Sequence, residues 1–503
     1  MQFKSINIIP KVSVDNREEL SLVYTPGVGS SCLKIKENID ASYIYTNRIN
    51  SVAVISESYK KALQRAIFLK NVLLIDAYPL CINEMTKENL EFIVNNIEPN
   101  FNAIDLSCVE IDKDNLSFNV KIPVLTKPTN DLKGFFGCVA RNAFMPDLNK
   151  FEGTTQEKSL QLREFFGGVI ETQLNEQETK KPVAIISDGS AVLGFGNIGA
   201  EAGLPVMEGK AVLFKALGNV DAMPLCIKTQ DSQEIIKLVL LLEASFSGVN
   251  LEDISAPRCF EIEETLKEKS KIVIFHDDQH GTAIVVLAAL LNALHLAKKN
   301  IEEVKVVFSG AGAAAQAVCK LFLKAGFKNI IMNDINGAVY LGREKNDFSL
   351  EEISKYTNLE QIKGGLQETI KNADVFVGLS APNVLTEEMI KTMNEKPIIF
   401  ALANPTPEIN PQAAKKAGAF IVATGRSDFE NQVNNSLAFP GLFKGVWEGN
   451  LSQITDEMKL ECAFSIASLI SEEELSTNKI IPDPLNWKVP EIISQNVCRM
   501  KQN

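Results

Sequence analysis

Residues 304–326 read VKVVFSGAGAAAQAVCKLFLKAG. A short apolar strand pattern runs into Gly310, Gly312 and Ala315, spaced G-x-G-x-x-A, and then into a helical stretch. The first glycine permits a tight turn, the second lets a pyrophosphate approach the backbone, and the small Ala315 lets helix meet strand. Alone, such a loop is equally a tight turn in an unliganded α/β layer. Here NIIMND (329–334) adds a second strand ending in Asp334, and a carboxylate about 20 residues beyond the glycines accepts hydrogen bonds from an adenosine ribose. The stretch predicts a Rossmann-type dinucleotide-binding domain, assigned to 284–424. Asp334 repels a 2′-phosphate and so favours NAD, while Arg343 and Lys345 follow and leave NADP open.

Outward from this stretch, PVAIIS, DVFVGLS and IIFALAN alternate with helical segments from about residue 183 onward. That alternation predicts α/β architecture with parallel sheets. A second loop, VLGFGNIGAEAG, places Gly194, Gly196 and Gly199 in G-x-G-x-x-G spacing but lacks a following strand with a terminal acid. It reads as a turn of a substrate domain, its amides free to hold a carboxylate or simply structural. Residues 151–182 are polar and end in a charged turn, so they read as a connection.

Composition narrows the partners. The chain has 503 residues, a net charge of −12 and no basic run, which disfavours nucleic-acid and membrane surfaces. Nine cysteines without a CxxC pair indicate reduced thiols and a cytoplasmic setting. The longest apolar run, from Thr282, is expected to be too short for a membrane span, and the N-terminus has no signal-peptide pattern.

The chain also repeats itself. IDAYPLCI (75–82) matches VDAMPLCI (220–227) at six of eight positions, and the same 145-residue offset sets IEPNFNAIDL (97–106) on LEASFSGVNL and RAIFLK (65–70) on KAVLFK. VAVISES (52–58) resembles VAIISDG (183–189), and KIPVLTKPTND from Lys121 is set against KIVIFHDDQH from Lys271. A duplicated α/β unit is expected, its first copy at 51–150 following a segment, 1–50, that carries Tyr24.

Acids cluster in the second copy: Glu252 and Asp253 in VNLEDISAP, Asp277 and Asp278 in IVIFHDDQHGTA. Adjacent acids at apolar strand ends need a compensating cation, and hard oxygen donors suit Mg²⁺ or Mn²⁺; single acids on loop tips are the plainer alternative. With three histidines in the chain, a His-rich site is excluded. At the same offset Glu252 and Asp253 become Ser107 and Cys108, Lys210 becomes Arg65, and the acid doublet's counterpart reads TKPTND. Apolar positions are retained where ligand positions change, so the first copy reads as degenerate.

In order along the chain, VYTPGVGSSCL, ISDGSAVLGFGNIG, PVMEGKAVLFK, GVNLEDISAPRCFEIEE, FHDDQHGTAIVVLAALLNAL, VVFSGAGAA, ALANPTPEI and TGRSDFENQVNN resemble the malic enzymes, particularly the compact prokaryotic type. The resemblance covers about 15–56 and 183–490; 57–182 departs from it. It implies metal-dependent oxidative decarboxylation of malate to pyruvate and CO₂, with malolactic conversion to lactate or a non-catalytic NAD scaffold as alternatives. It assigns Glu252, Asp253 and Asp278 to the metal, Lys210 to the general base, Tyr24 to the general acid and Asp277 to their acidic neighbour. Asn404 and Asn435 fall near substrate and nicotinamide, and 183–283 with 425–503 form the substrate and metal domain. Where animal-type enzymes carry a substrate-binding Arg, this chain has Ala191, leaving Arg426 or the amides near Gly194 for the second carboxylate. A weaker match of LVYTPGV to REFFGGV sets Phe165 at the place of Tyr24. A homo-oligomer is expected, or a chain that is its own pseudo-dimer.

Overall fold

The structure, a computed structural model, describes residues 3–111, 116–127, 151–192 and 194–500. Cys138, residues 128–131 of the TKPTND match and the 128–150 end of the expected first copy lie outside them. The chain divides into two compact units, Met1–Phe275 and His276–Asn503. Residues 425–503, grouped with 183–283 on the sequence, fall in the second unit.

The first unit holds two four-stranded sheets. One uses β2 (Ser51–Ser56), β3 (Asp76–Cys81), β4 (Ala103–Asp105) and β5 (Val124–Leu125) in the order β3-β2-β4-β5. The other uses β7 (Val183–Ser187), β8 (Ala222–Cys226), β9 (Gly248–Leu251) and β10 (Val273–His276) in the order β8-β7-β9-β10. The two orders are the same with β2 set on β7, β3 on β8, β4 on β9 and β5 on β10, and so is the parallel register. Val52 pairs with Ala77 and Ala103 in one sheet; Val183 pairs with Ala222 and Gly248 in the other. Both central strands are buried throughout, as β-branched strands covered on two faces must be. A lysine and aspartate pair recurs at the same place, Lys70 with Asp76 at 2.8 Å and Lys215 with Asp221 at 3.0 Å.

Residues 151–182 are more than a connection. A helix, Thr155–Phe166, opens with a capping box from Thr154 and Glu157 and closes at Gly167 in the left-handed region. Strand β6 (Ile170–Asn175) then pairs antiparallel with β1 (Ser5–Pro10). Pairing with a strand some 165 residues upstream leaves no local signature, and IETQLN alternates too weakly to announce itself.

The second unit is built on a six-stranded sheet ordered β13-β12-β11-β14-β15-β16. Its strands are β11 (Lys305–Ser309), β12 (Asn329–Asp334), β13 (Gly337–Ala338), β14 (Val375–Gly378), β15 (Ile398–Ala401) and β16 (Ile421–Thr424). All neighbours are parallel except β13. The order reverses at β11, where the chain turns toward β14, the point at which doubly wound sheets open a ligand crevice. One helical stretch among the described residues, Asp277–Ala297, is long and apolar enough to cross a bilayer. The run from Thr282 gains that length because a π-helical turn, Asp277–Gly281, leads directly into helix Thr282–Ala297. Most of the stretch is buried inside the protein, as the core helix of a globular fold is.

Candidate active site

In the first unit the site is organised by helix Ala200–Gly218, whose residues are buried nearly all round. Lys210 sits in its middle with 0% exposure. A buried ammonium needs a partner, and Glu252 supplies it at 2.7 Å. The other carboxylate oxygen of Glu252 accepts from the Asn250 side chain at 2.8 Å. Asp253 follows, buried, in the left-handed backbone region at φ 54°, which Asp tolerates better than most residues. Its carbonyl accepts from Ala191 N–H at 2.9 Å, tying the acid loop to the loop after β7. That loop is held by Asp188, which pairs with Arg258 at 2.9 Å and accepts from the Ser190 amide and hydroxyl.

Tyr24 caps the C-terminal end of helix Arg17–Val23 and lies 8% exposed, with Lys210 Nζ 5.8 Å from its ring centroid. Gly209 makes this approach possible: a Cβ there would stand 2.4 Å from the Val23 carbonyl oxygen and 3.0 Å from the Tyr24 ring. Arg163, fully buried, fixes the same corner. It donates to the Val23 and Pro205 carbonyls at 3.0 and 2.9 Å and to Glu208 at 3.0 Å. Glu208 in turn accepts from the Asn47 and Val169 amides. Arg163, Glu208 and Gly209 were not singled out on the sequence. The one available signal is that Glu208 and Gly209 directly precede Lys210 in MEGK.

The equivalent corner of the first sheet differs. Arg65 lies where the repeat sets Lys210, and its Nε donates to the buried Asp105 at 2.8 Å. Phe165 is half-exposed, its ring edge-on to Phe166.

In the second unit, Asp277 and Asp278 open the π-helical turn, a form that concentrates at functional sites. Asp277 is buried and accepts from the Asn435 amide at 2.5 Å. Gly281 leaves room for it, since a Cβ there would lie 1.9 Å from Asp277 Oδ1. Asp278 is partly exposed, 3.8 Å from His276 Nδ1. The carboxylates on both units are hard oxygen donors of the kind Mg²⁺ or Mn²⁺ takes. Among the described residues no three His, Cys, Asp or Glu are gathered as a ready metal cluster.

The glycine loop behaves as its spacing demands. Gly310 has φ 110°, and a Cβ there would meet the Leu379 carbonyl oxygen at 2.4 Å. Around Gly312 nothing lies within 4 Å of that position, so the backbone is open to a ligand. Ala315 is buried in the following helix. Asp334 ends β12, gripped by Arg343 through two hydrogen bonds of 2.9 and 2.6 Å. Burial opposes its ionisation, but Arg343 outweighs this and holds its carboxyl below the usual range. Ile335, immediately after, is 99% exposed. Glu408, also unannounced by the sequence, straps two strand ends of this sheet, accepting from the Ser380 and Ala403 amides at 2.9 Å each; Asn404 lies beside the second. Arg426 grips Asp428 at 2.8 and 2.7 Å and donates to the Pro405 carbonyl.

Residues 150–267 match the family described as malic enzyme, N-terminal domain, and 279–499 match malic enzyme, NAD binding domain. The chain is 52% identical over 319 residues to the bifunctional malic/malolactic enzyme of Bacillus subtilis, covering 63% of this chain and 78% of that one. It is similar to the structure of an NAD-dependent malic enzyme from Thermotoga maritima at TM-score 0.61 and 49% identity, over 63% of this chain and 84% of that one. A malic enzyme structure from Pyrococcus horikoshii, 35% identical with TM-score 0.60, aligns over 98% of this chain and 85% of its own. With both domains matched in order over more than half its length, the chain belongs to the malic enzyme family.

Proposed function

We propose that this chain oxidatively decarboxylates (S)-malate to pyruvate and CO₂ with reduction of NAD. The observation that carries it is the buried triple of Tyr24, Lys210 and Glu252: a phenol, an amine and a carboxylate within one water-excluded corner. Glu252 and Asp253 of the first unit would hold a divalent cation that polarises the hydroxyl and C1 carboxylate, Asp278 is proposed as an acidic donor on the second unit, and NAD, when bound, would supply the hydride acceptor. Lys210, as the neutral amine, takes the malate hydroxyl proton. Its pairing with Glu252 marks the place where that positive charge is balanced. Tyr24, whose ring centroid lies 5.8 Å from Lys210 Nζ, delivers a proton to C3 once CO₂ has left. In the second unit Asp277 is held by Asn435, and Asn404 is proposed to serve the nicotinamide. Asp334 at the end of β12 supports NAD as the preferred cofactor, while the bidentate grip of Arg343 offsets its charge and keeps NADP as the alternative.

A second outcome is favoured by one observation, the relative named as bifunctional malic/malolactic: retention of the reduced cofactor and release of lactate. The deciding assay supplies malate, Mn²⁺ and NAD or NADP and follows reduced cofactor and product together. Pyruvate with stoichiometric NADH supports the proposal; lactate without net NADH replaces it. The net charge of −12 without a basic run supports a cytoplasmic enzyme of small molecules, with no nucleic-acid or membrane partner. Self-association as a homo-oligomer is part of the proposal, met first inside the chain by its two similar halves.

A further inference from the structure

The two sheets of the first unit touch through contacts that come in exchanged pairs. The Asn83 amide donates to the Leu241 carbonyl at 2.9 Å, and the Lys228 amide donates to the Asn96 carbonyl at 3.1 Å. Under the 145-residue offset these are one contact written twice with its ends swapped. The Cys81 amide donates to Ser245 Oγ at 2.7 Å, and the Cys226 amide donates to Asn100 Oδ1 at 2.7 Å. Each side chain also returns a hydrogen bond to the carbonyl of the same cysteine, Ser245 to Cys81 at 3.2 Å and Asn100 to Cys226 at 2.7 Å. Glu98 pairs with Lys228, and Glu243 accepts from Asn83 at 3.5 Å. Contact of i with j mirrored by j with i is the signature of a two-fold interface between like surfaces. Here both surfaces belong to one polypeptide.

We propose that the first half of this chain is a built-in partner for the second, so that one chain completes one active site without a second copy. This rests on the functional roles given above for Tyr24 and Lys210. The surface that the second half presents to a like partner is already covered by the first. Tyr24, from the N-terminal segment, stands beside Lys210 in the same chain. The position related to Lys210 by the two-fold is chemically closed. A guanidinium is no general base, Arg65 is paired with Asp105, and Ser107 and Cys108 replace the acids. The unit therefore carries one working site and one sealed one.

The test uses two full-length chains, Tyr24→Phe and Lys210→Ala, each differently tagged, co-expressed and purified through both tags or as a mixture. Completion within the chain predicts that the mixture turns over no faster than the sum of its parts. If Tyr24 instead serves a neighbouring chain, random pairing restores about a quarter of wild-type activity, and that result overturns the proposal. Should Tyr24→Phe alone retain wild-type turnover, the acid role of Tyr24 fails, and two further measurements still decide the pairing. Specific activity of the wild-type chain is followed on dilution while mass photometry reports particle mass. Activity per chain that is constant down to the single-chain mass supports a built-in partner, and activity lost as the particles dissociate overturns it. Calorimetric titration with Mn²⁺ in the presence of NAD and malate gives the site count. One ion per chain agrees with a sealed first position, and two per chain overturns it.

Discussion

The two α/β layers of the first unit share strand order, register and even a lysine paired with a buried aspartate, yet only one holds a buried amine beside a phenol. The differences that bear on chemistry include Lys210 against Arg65, Asn250 against Asp105, and Glu252 and Asp253 against Ser107 and Cys108. Scaffold and chemistry are thus separable. The apolar residues that specify a sheet tolerate the loss of every group that a reaction needs, because the two sets point into different environments.

The comparison is broken most severely at Lys210. Lys210→Ala is expected to lower kcat about 10³-fold or more, whereas Arg65→Ala leaves kcat within about twofold; steady-state rates with malate and Mn²⁺ check both. Tyr24→Phe is expected to lower kcat about 10²-fold with little change in folding, read by the same assay beside thermal unfolding. Gly209→Val pushes a side chain into the Val23 carbonyl and the Tyr24 ring. It is expected to reduce kcat about 10-fold to 10²-fold while Lys210 is untouched, since small misplacements of a catalytic group have effects of that size. A smaller contrast lies in Ser245→Ala and Asn100→Ala. Each leaves a buried cysteine amide and carbonyl unpaired and is expected to destabilise the unit by about 1–3 kcal/mol in denaturant unfolding.

The smallest effect concerns pH. Burial opposes ionisation of Asp76, but Lys70 and Lys11 outweigh it and hold its carboxyl below the ordinary value. Burial pushes Asp221 above it, only partly offset by Lys215. A depressed carboxyl contributes stability that is present above about pH 4 and is lost as pH falls through its folded value. A raised carboxyl has the opposite sign, and stability declines as pH rises from about 4 through its folded value. Unfolding free energies of Asp76→Asn and Asp221→Asn, measured against wild type from pH 7 down to about pH 3, are expected to drift in opposite directions. Drift in the same direction would mean that the two pairs share one environment.

Four of the six strands in the sheet of the second unit were legible because their signals are local. VKVVFSG, NIIMND, DVFVGLS and IIFALAN are β11, β12, β14 and β15, and the three positions of the glycine loop have the conformations that their spacing implies. In the first unit the apolar runs IDAYPLCI and VDAMPLCI hold β3 and β8. Strands β1 and β6 were not legible, since each is defined by a partner far away in the chain. The same holds for Arg163: one charged residue in a polar stretch carries no mark of burial until the carbonyls of Val23 and Pro205 and the carboxylate of Glu208 surround it. Candidate ligands and the amine could be read off, but the corner that positions Tyr24 depends on segments that only folding brings together.

Joining both sides of a two-fold contact in one polypeptide frees them from each other in heredity. In an assembly of identical chains a substitution arrives on both faces at once, so any change must suit both. Here Asn100 and Ser245 serve mirrored cysteines with different side chains, and Lys228 carries a charge that Asn83 lacks. Each face can be altered alone, which lets one half specialise in turnover while the other is tuned for grip.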